Sequence, residues 1–226
     1  VRKISAILVL MMLAPALPAL AQPEPWGNWL IWFGNARINK HWSVWNEVQV
    51  RQFNLAGDME QLMLRAAVNY HTASGAWLSQ GYGRVGTWRY TPGTNEKTVA
   101  WEHRPYQQVL MRQQHGRVFL THRYRVEERF LPDDFQLRFR YFLSLNIPLN
   151  KSGMDAGAWY ATAYSETFLR YNNPTFDRHR LYGGIGYVKN KDLRFELAWM
   201  EQQLETRRRG QLQLVVFRTF DWPFGD

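Results

Sequence analysis

The stretch RYRVEERF, Arg123–Phe130, decides how the chain is read. Successive side chains of an extended backbone point to opposite faces. Arg123, Arg125, Glu127 and Arg129 therefore share one side, and Tyr124, Val126, Glu128 and Phe130 the other. The next segment, QLRFRYFLSL from Gln136, repeats the division, with Arg138 and Arg140 against Leu137, Phe139, Tyr141, Leu143 and Leu145. A period of two argues β-strand, and its recurrence argues a sheet with one charged and one apolar face.

Eleven segments carry the alternation: 26–38, 41–53, 59–71, 76–90, 99–114, 117–130, 135–148, 156–169, 176–189, 191–203 and 210–222. Turn residues such as Ser74-Gly75, Pro92-Gly93, His115-Gly116 and Pro132-Asp133-Asp134 separate them, and none shows the i, i+3, i+4 pattern of a helix. The expectation is an all-β, antiparallel up-and-down meander in a single domain over 22–226. The segments run to about 13 residues, long for a globular sheet. They suit a strand tilted across a bilayer, which takes about 9–11 residues plus its rims. A transmembrane β-barrel of about 10–12 strands follows. Bacterial barrels of this kind have even strand numbers, so a count of eleven predicts that the first segment does not span or that two strands are fused within 99–114. Turns at 39–40, 72–75, 115–116 and 190 are short and those at 54–58, 91–98, 170–175 and 204–209 longer. Short turns face the periplasm in such barrels.

In that fold the apolar faces meet lipid, for example Leu62, Leu64 and Val68, Phe139 and Tyr141, or Leu197 and Trp199. The charged faces line the lumen: Glu47, Arg51, Arg65, Glu102, Arg104, Arg112, Arg123, Arg125, Glu127, Arg138, Arg140, Glu166, Arg178, Arg180, Arg194 and Glu196. A charge in a low-dielectric interior is costly unless matched, so these residues either pair into a plug or leave surplus arginine for a small anion-preferring pore or cavity. Aromatic residues at segment ends, as in WGNWLIWF (26–33), Trp88, Trp101, Tyr182 and Tyr187, read as girdles at the two lipid–water interfaces.

The chain opens with Arg2 and Lys3, an apolar run from Ile4 to Leu17, and Ala19-Leu20-Ala21 before Gln22. That is the pattern of a cleaved secretory signal peptide over 1–21. Without Arg2 and Lys3 the 28 basic residues become 26 against 19 acids, a net charge of +7. No Cys occurs, which excludes disulfides, thiolate metal sites and a lipid-bearing Cys. No apolar run after the leader is long enough for a transmembrane helix. The basic residues alternate along strands and form no surface patch, so nucleic acid is not an expected partner.

Six stretches together look familiar: HWSVWNEVQVRQF (41–53), WEHRPYQQ (101–108), THRYRVEERF (121–130), FRYFLSLNIPL (139–149), AYSETF (163–168) and RHRLYGGIGY (178–187). With them the chain resembles a bacterial outer-membrane-type family called domain of unknown function 2490. The resemblance implies a secreted precursor and a small β-barrel with a recurring R-Y-R-x-E-x-R-F strand, and by the family's name no assigned activity. It covers the chain after the leader, and Arg123, Arg125, Glu127, Arg129 and Phe130 are its most specific part. One departure is the end of the chain, where Asp226 follows Phe224 in place of a terminal aromatic residue read by the barrel assembly machinery.

The expected location is the outer membrane of a Gram-negative bacterium, and the expected partners are its lipid and lipopolysaccharide, the assembly machinery and small anions. Arg207, Arg208 and Arg209, in a loop assigned to the cell exterior, are candidate lipopolysaccharide contacts. Two alternatives stand beside this reading. A soluble periplasmic barrel binding an apolar ligand would need the apolar faces inward and the arginines outward. An outer-membrane lipid hydrolase would use His41, Ser43 and Glu47 on one strand face, though His and Ser two apart is a weak signal. The expectation is of no enzyme. The six His show no metal-ligand spacing, no phosphate-binding Gly loop is present, and no cofactor is implied. Gly183, Gly184 and Gly186 read as sites where the sheet bends or a neighbouring aromatic needs room.

Overall fold

A computed structural model describes residues 26–171 and 174–222. The expected signal peptide, Phe224 and Asp226 lie outside the described residues. Eleven strands follow one another: β1 (Trp26–Arg37), β2 (Trp42–Gln52), β3 (Met59–His71), β4 (Trp77–Tyr90), β5 (Lys97–His115), β6 (Val118–Leu131), β7 (Asp134–Pro148), β8 (Trp159–Arg170), β9 (Phe176–Asn190), β10 (Leu193–Leu204) and β11 (Arg208–Asp221). There is no helix among the described residues. Each strand pairs antiparallel with the next, and β1 pairs with β11 to close a barrel. Closure leaves no unpaired strand edge.

The closing pair corrects the all-antiparallel expectation. Trp26 to Arg37 align with Gly210 to Asp221 in the same direction, so the sheet is mixed. Both explanations for an odd count fail. β1 is a full strand of 12 residues, and 97–115 is one continuous strand of 19. In an up-and-down ring an odd number of strands forces the first and last to run the same way, and here they do.

Connection length does not distinguish the two rims. One rim carries 38–41, 72–76, 116–117, 149–158 and 191–192, the other 53–58, 91–96, 132–133, 171–175 and 205–207. The ten residues between Pro148 and Trp159 make the longest connection, and they sit on the rim that turn length assigns to the periplasm. This stretch is tied down: Arg117 donates to the carbonyls of Pro148 (2.6 Å) and Lys151 (2.9 Å), and Gly157 N donates to Val188 O (2.7 Å).

Side chains sort by parity. Leu64, Val68, Phe139, Leu197 and Trp199 are exposed on the outer wall, while Glu47, Arg65, Arg104, Arg125, Glu127, Arg138, Arg140 and Glu166 are buried within. The inside-out arrangement needed by the soluble apolar-ligand reading is therefore the reverse of the one observed. The outer wall also has a polar stripe on β4 and β5, where Gln80, Arg84, His103 and Gln107 are exposed. Two of its members find aromatic partners: Tyr82 Oη bonds His103 Nδ1, and Arg84 lies over the Trp101 ring at 4.6 Å.

The interior has an apolar arc as well. Trp29, Ile31, Tyr182, Ala198, Met200 and Val215 form a buried cluster on which Phe33, Tyr164 and Phe217 pack. Trp29, Phe33 and Tyr182 are thus interior residues, not girdle aromatics. Two glycines make room for fully buried rings. A Cβ on Gly81 would stand 2.2 Å from Tyr106 Cζ, and one on Gly186 2.1 Å from Tyr160 Cζ.

Candidate functional site: an ionic network across the interior

The register of β6 and β7 builds the centre of the network. Glu127 stands opposite Arg138, and Arg125 opposite Arg140, on the inward side of both strands. Glu127 is fully buried and accepts from Arg138 Nε (3.0 Å) and Nη2 (2.5 Å), from Arg140 Nη1, and from Arg125 Nη1 (3.3 Å). Arg65 from β3 and Arg104 from β5 approach the same carboxylate at 3.8 and 3.9 Å. One acid thus gathers five guanidiniums, and the contact from β3 reaches across the lumen.

Three further acids extend the cluster. Glu166 of β8 accepts from Arg123 (2.7 Å) and from Arg140 Nε (3.1 Å) and Nη2 (2.5 Å), and Arg180 of β9 lies 3.6 Å away. Glu102 of β5 accepts from Arg104 Nε (2.7 Å) and is held by two nitrogens of Arg129 (2.7 and 2.9 Å). Glu47 of β2 pairs with Arg65 and Gln49. Arg51 and Arg180 approach Trp29 from two sides, 3.7 and 5.0 Å from a ring centroid, which links the charged arc to the apolar one.

The sequence places most of these residues inside but does not say which pair with which. Arg123 serves Glu166 and not Glu127. Among the described residues Glu196 pairs with no arginine; Tyr160 Oη (2.8 Å) and Tyr182 Oη (2.7 Å) donate to it. Arg112 and Arg194 lie apart from the network, stacked on Trp77 (4.0 Å) and Phe217 (4.1 Å). Arg178 turns to Asp177 (3.2 Å), an acid that strict alternation sends to the outer face. The reason is a β-bulge: Phe168 pairs with Arg178 but Leu169 with Phe176, so Asp177 is the extra residue. There it receives Arg138 Nη1 at 3.0 Å. Glu60 occupies a second bulge, between the pairs Arg51–Gln61 and Gln52–Met59, and takes Arg209 Nη1 at 2.6 Å. Both acids fall where alternation breaks, so parity has no means of finding them. Phe168, buried under Arg138, Arg140, Arg178 and Arg180 at 4.3 to 5.8 Å, carries no charge to mark it; a ring face attracts guanidinium.

The triplet Arg207–Arg209 is not one exposed loop cluster. Arg209 is the second residue of β11, buried, and paired with Glu60. Arg207 and Arg208 are exposed at the rim, Arg208 lying 3.6 Å from Glu201.

The constellation of His41, Ser43 and Glu47 is not assembled. His41 precedes β2 and stacks on Tyr70, while Glu47 belongs to Arg65. Ser43, fully buried, meets His71 Nε2 instead at 2.9 Å. It also accepts from Asn69 (3.1 Å), which accepts from Ser79 (2.7 Å). Gln108 donates to Ser79 (3.2 Å) and accepts from Arg125 (2.7 Å). The serine is a link in a polar chain that runs from the rim to the network.

Fold and site together define a closed eleven-stranded β-barrel with an ionic interior and a largely apolar exterior. The chain belongs to the family described as Protein of unknown function (DUF2490), whose profile matches residues 26–213. No curated protein and no solved structure matches it.

Proposed function

We propose that the chain is an outer-membrane barrel held in lipid by its outer wall and closed inside by its own arginine–glutamate network. The observation that carries this reading is the inverted burial, with Leu197 52 % exposed and Val68 47 % exposed while Glu127 is 0 % exposed. In water the apolar part of that outer wall, beyond the β4–β5 stripe, would be a patch far larger than soluble monomers show. In lipid it is the matched solvent, and a closed barrel satisfies its backbone without an edge. The contacts from β3, β5, β6 and β7 that meet at Glu127 support a plug, as small barrels are filled by their own side chains. Arg207 and Arg208 at the rim are the lipopolysaccharide contacts in this reading, the assembly machinery is the partner during insertion, and no catalytic step is assigned.

The test is fractionation combined with heat-modifiable gel mobility and planar-bilayer recording. Expected are an outer-membrane protein that migrates differently before and after boiling, and a silent bilayer. A fully soluble product would overturn the placement. A small anion-preferring conductance would favour the second reading, an open pore, which Arg112 and Arg194 support by lying outside the paired set.

A further inference from the structure

The network does not fill the barrel from rim to rim. Toward the rim that carries 38–41 and 191–192 the interior holds a cavity of about 530 Å³, within the range that takes small organic ligands. Its floor is ionic, with Glu47, Glu166 and Arg123 among the residues that close it. Part of its wall is the apolar arc. Phe217, Phe33 and Trp45 lie in a row, with successive centroids 5.0 and 5.2 Å apart, above Trp29 and Val215. Tyr164 and Tyr182, of the same cluster, stack at 4.3 Å.

Arg112 and Arg194 project into this space without acid partners, beside Lys191, Arg218, Asp192 and Glu196, which also line it. Arg112 comes from β5 and Arg194 from β10, five strands apart one way round the ring and six the other. Both line the same cavity. Among the described residues neither has a carboxylate within 4.0 Å; each lies only on an aromatic ring. Most other lumen arginines have a carboxylate partner, and Arg51 is held by the amide oxygens of Gln49 and Gln61. Trp29 Nε1 and Gln213 Nε2, on residues that line the cavity, are buried donors with no acceptor among the described residues. Facing cations, spare donors and aromatic walls are the complement of one ligand chemistry.

We propose that this cavity binds an organic anion carried on a flat apolar body, an aromatic carboxylate in its simplest form. The carboxylate sits between Arg112 and Arg194, where guanidinium forks match its two oxygens. The ring lies against Phe33 and Phe217. The proposal rests on the interior geometry and not on the membrane placement, so it stands or falls separately.

The experiment is titration of 2-naphthoate into the full-length protein in lipid nanodiscs, with empty nanodiscs subtracted and 2-naphthylmethanol as the neutral probe. Should fractionation show a soluble protein, the same titration runs in buffer. Naphthoate is expected to saturate and the alcohol to bind at least about tenfold more weakly, the scale of one lost charged hydrogen bond. Arg112→Gln and Arg194→Gln should each weaken naphthoate by a similar factor, and Arg89→Gln, exposed near the other rim, should leave it unchanged. Equal binding of acid and alcohol would overturn the proposal, as would wild-type affinity in both cavity variants when their gel mobility shows them folded. A diazirine-bearing benzoate on wild-type protein covers the case in which the variants misfold. Its label should map to the β1 and β11 peptides that hold Phe33 and Phe217, and labelling confined to the outer wall overturns the assignment.

Discussion

Glu127 holds the ionic network together. A carboxylate enclosed by Arg138, Arg140, Arg125, Arg65 and Arg104 is the negative centre without which those cations repel. Removing one partner of a buried ionic cluster costs more than the cluster contributes, because the rest stay buried and unmatched. Glu127→Gln is expected to lower stability by about 3–5 kcal/mol. Glu128→Gln, on the outer side of the same strand, should change it by less than about 1 kcal/mol. Urea unfolding followed by gel mobility compares the two, and equal midpoints would mean that β6 does not present the faces described. Glu127 is also the most legible member of the network, because RYRVEERF states its parity and its neighbours without ambiguity.

At the scale of strands, glycine placement provides a second check on which wall is which. Gly186 faces inward against Tyr160, whereas a Cβ on Gly183, three residues earlier in β9, meets nothing within 4 Å. Gly186→Ala forces a packed ring to move and should cost about 1–3 kcal/mol. Gly183→Ala should be neutral or stabilising by up to about 1 kcal/mol, since it only restricts the unfolded chain. The reverse order in thermal or urea midpoints would place the β9 faces the other way round. The eleven segments, to within about three residues, and most of the charged faces were readable from alternation, whereas the even-number rule argued wrongly against eleven strands. What alternation could not supply lies where the period slips or where chemistry is silent. Glu60 and Asp177 are bulge residues, and Phe168 is one phenylalanine among 13. The interior arc of Trp29, Ile31 and Phe33 was hidden for another reason: WGNWLIWF is apolar on both faces, so parity has no contrast to read.

The whole molecule owes its shape to two imbalances, more arginine than acid inside and one strand more than an even count. The first is absorbed by aromatic faces and by a cavity where Arg112 and Arg194 stay unmatched. The second is absorbed at the seam, where β1 and β11 run side by side in one direction. That seam has a consequence for how the chain sits in a cell. A ring with an even number of strands returns its two ends to one compartment. This ring admits the chain at the rim where Trp26 begins β1 and releases it at the opposite rim where Asp221 ends β11. In a spanned membrane the two ends of the polypeptide then belong to different worlds, one facing the medium and one the periplasm. An epitope placed just before Trp26 and another just after Trp222 should therefore answer differently to antibody on intact cells, one stained and the other silent until the envelope is opened. Staining of both, or of neither, would mean that the parallel seam does not cross the bilayer. The single stained epitope would also tell which way the cavity opens, to the outside world or to the cell's own interior supply of anions.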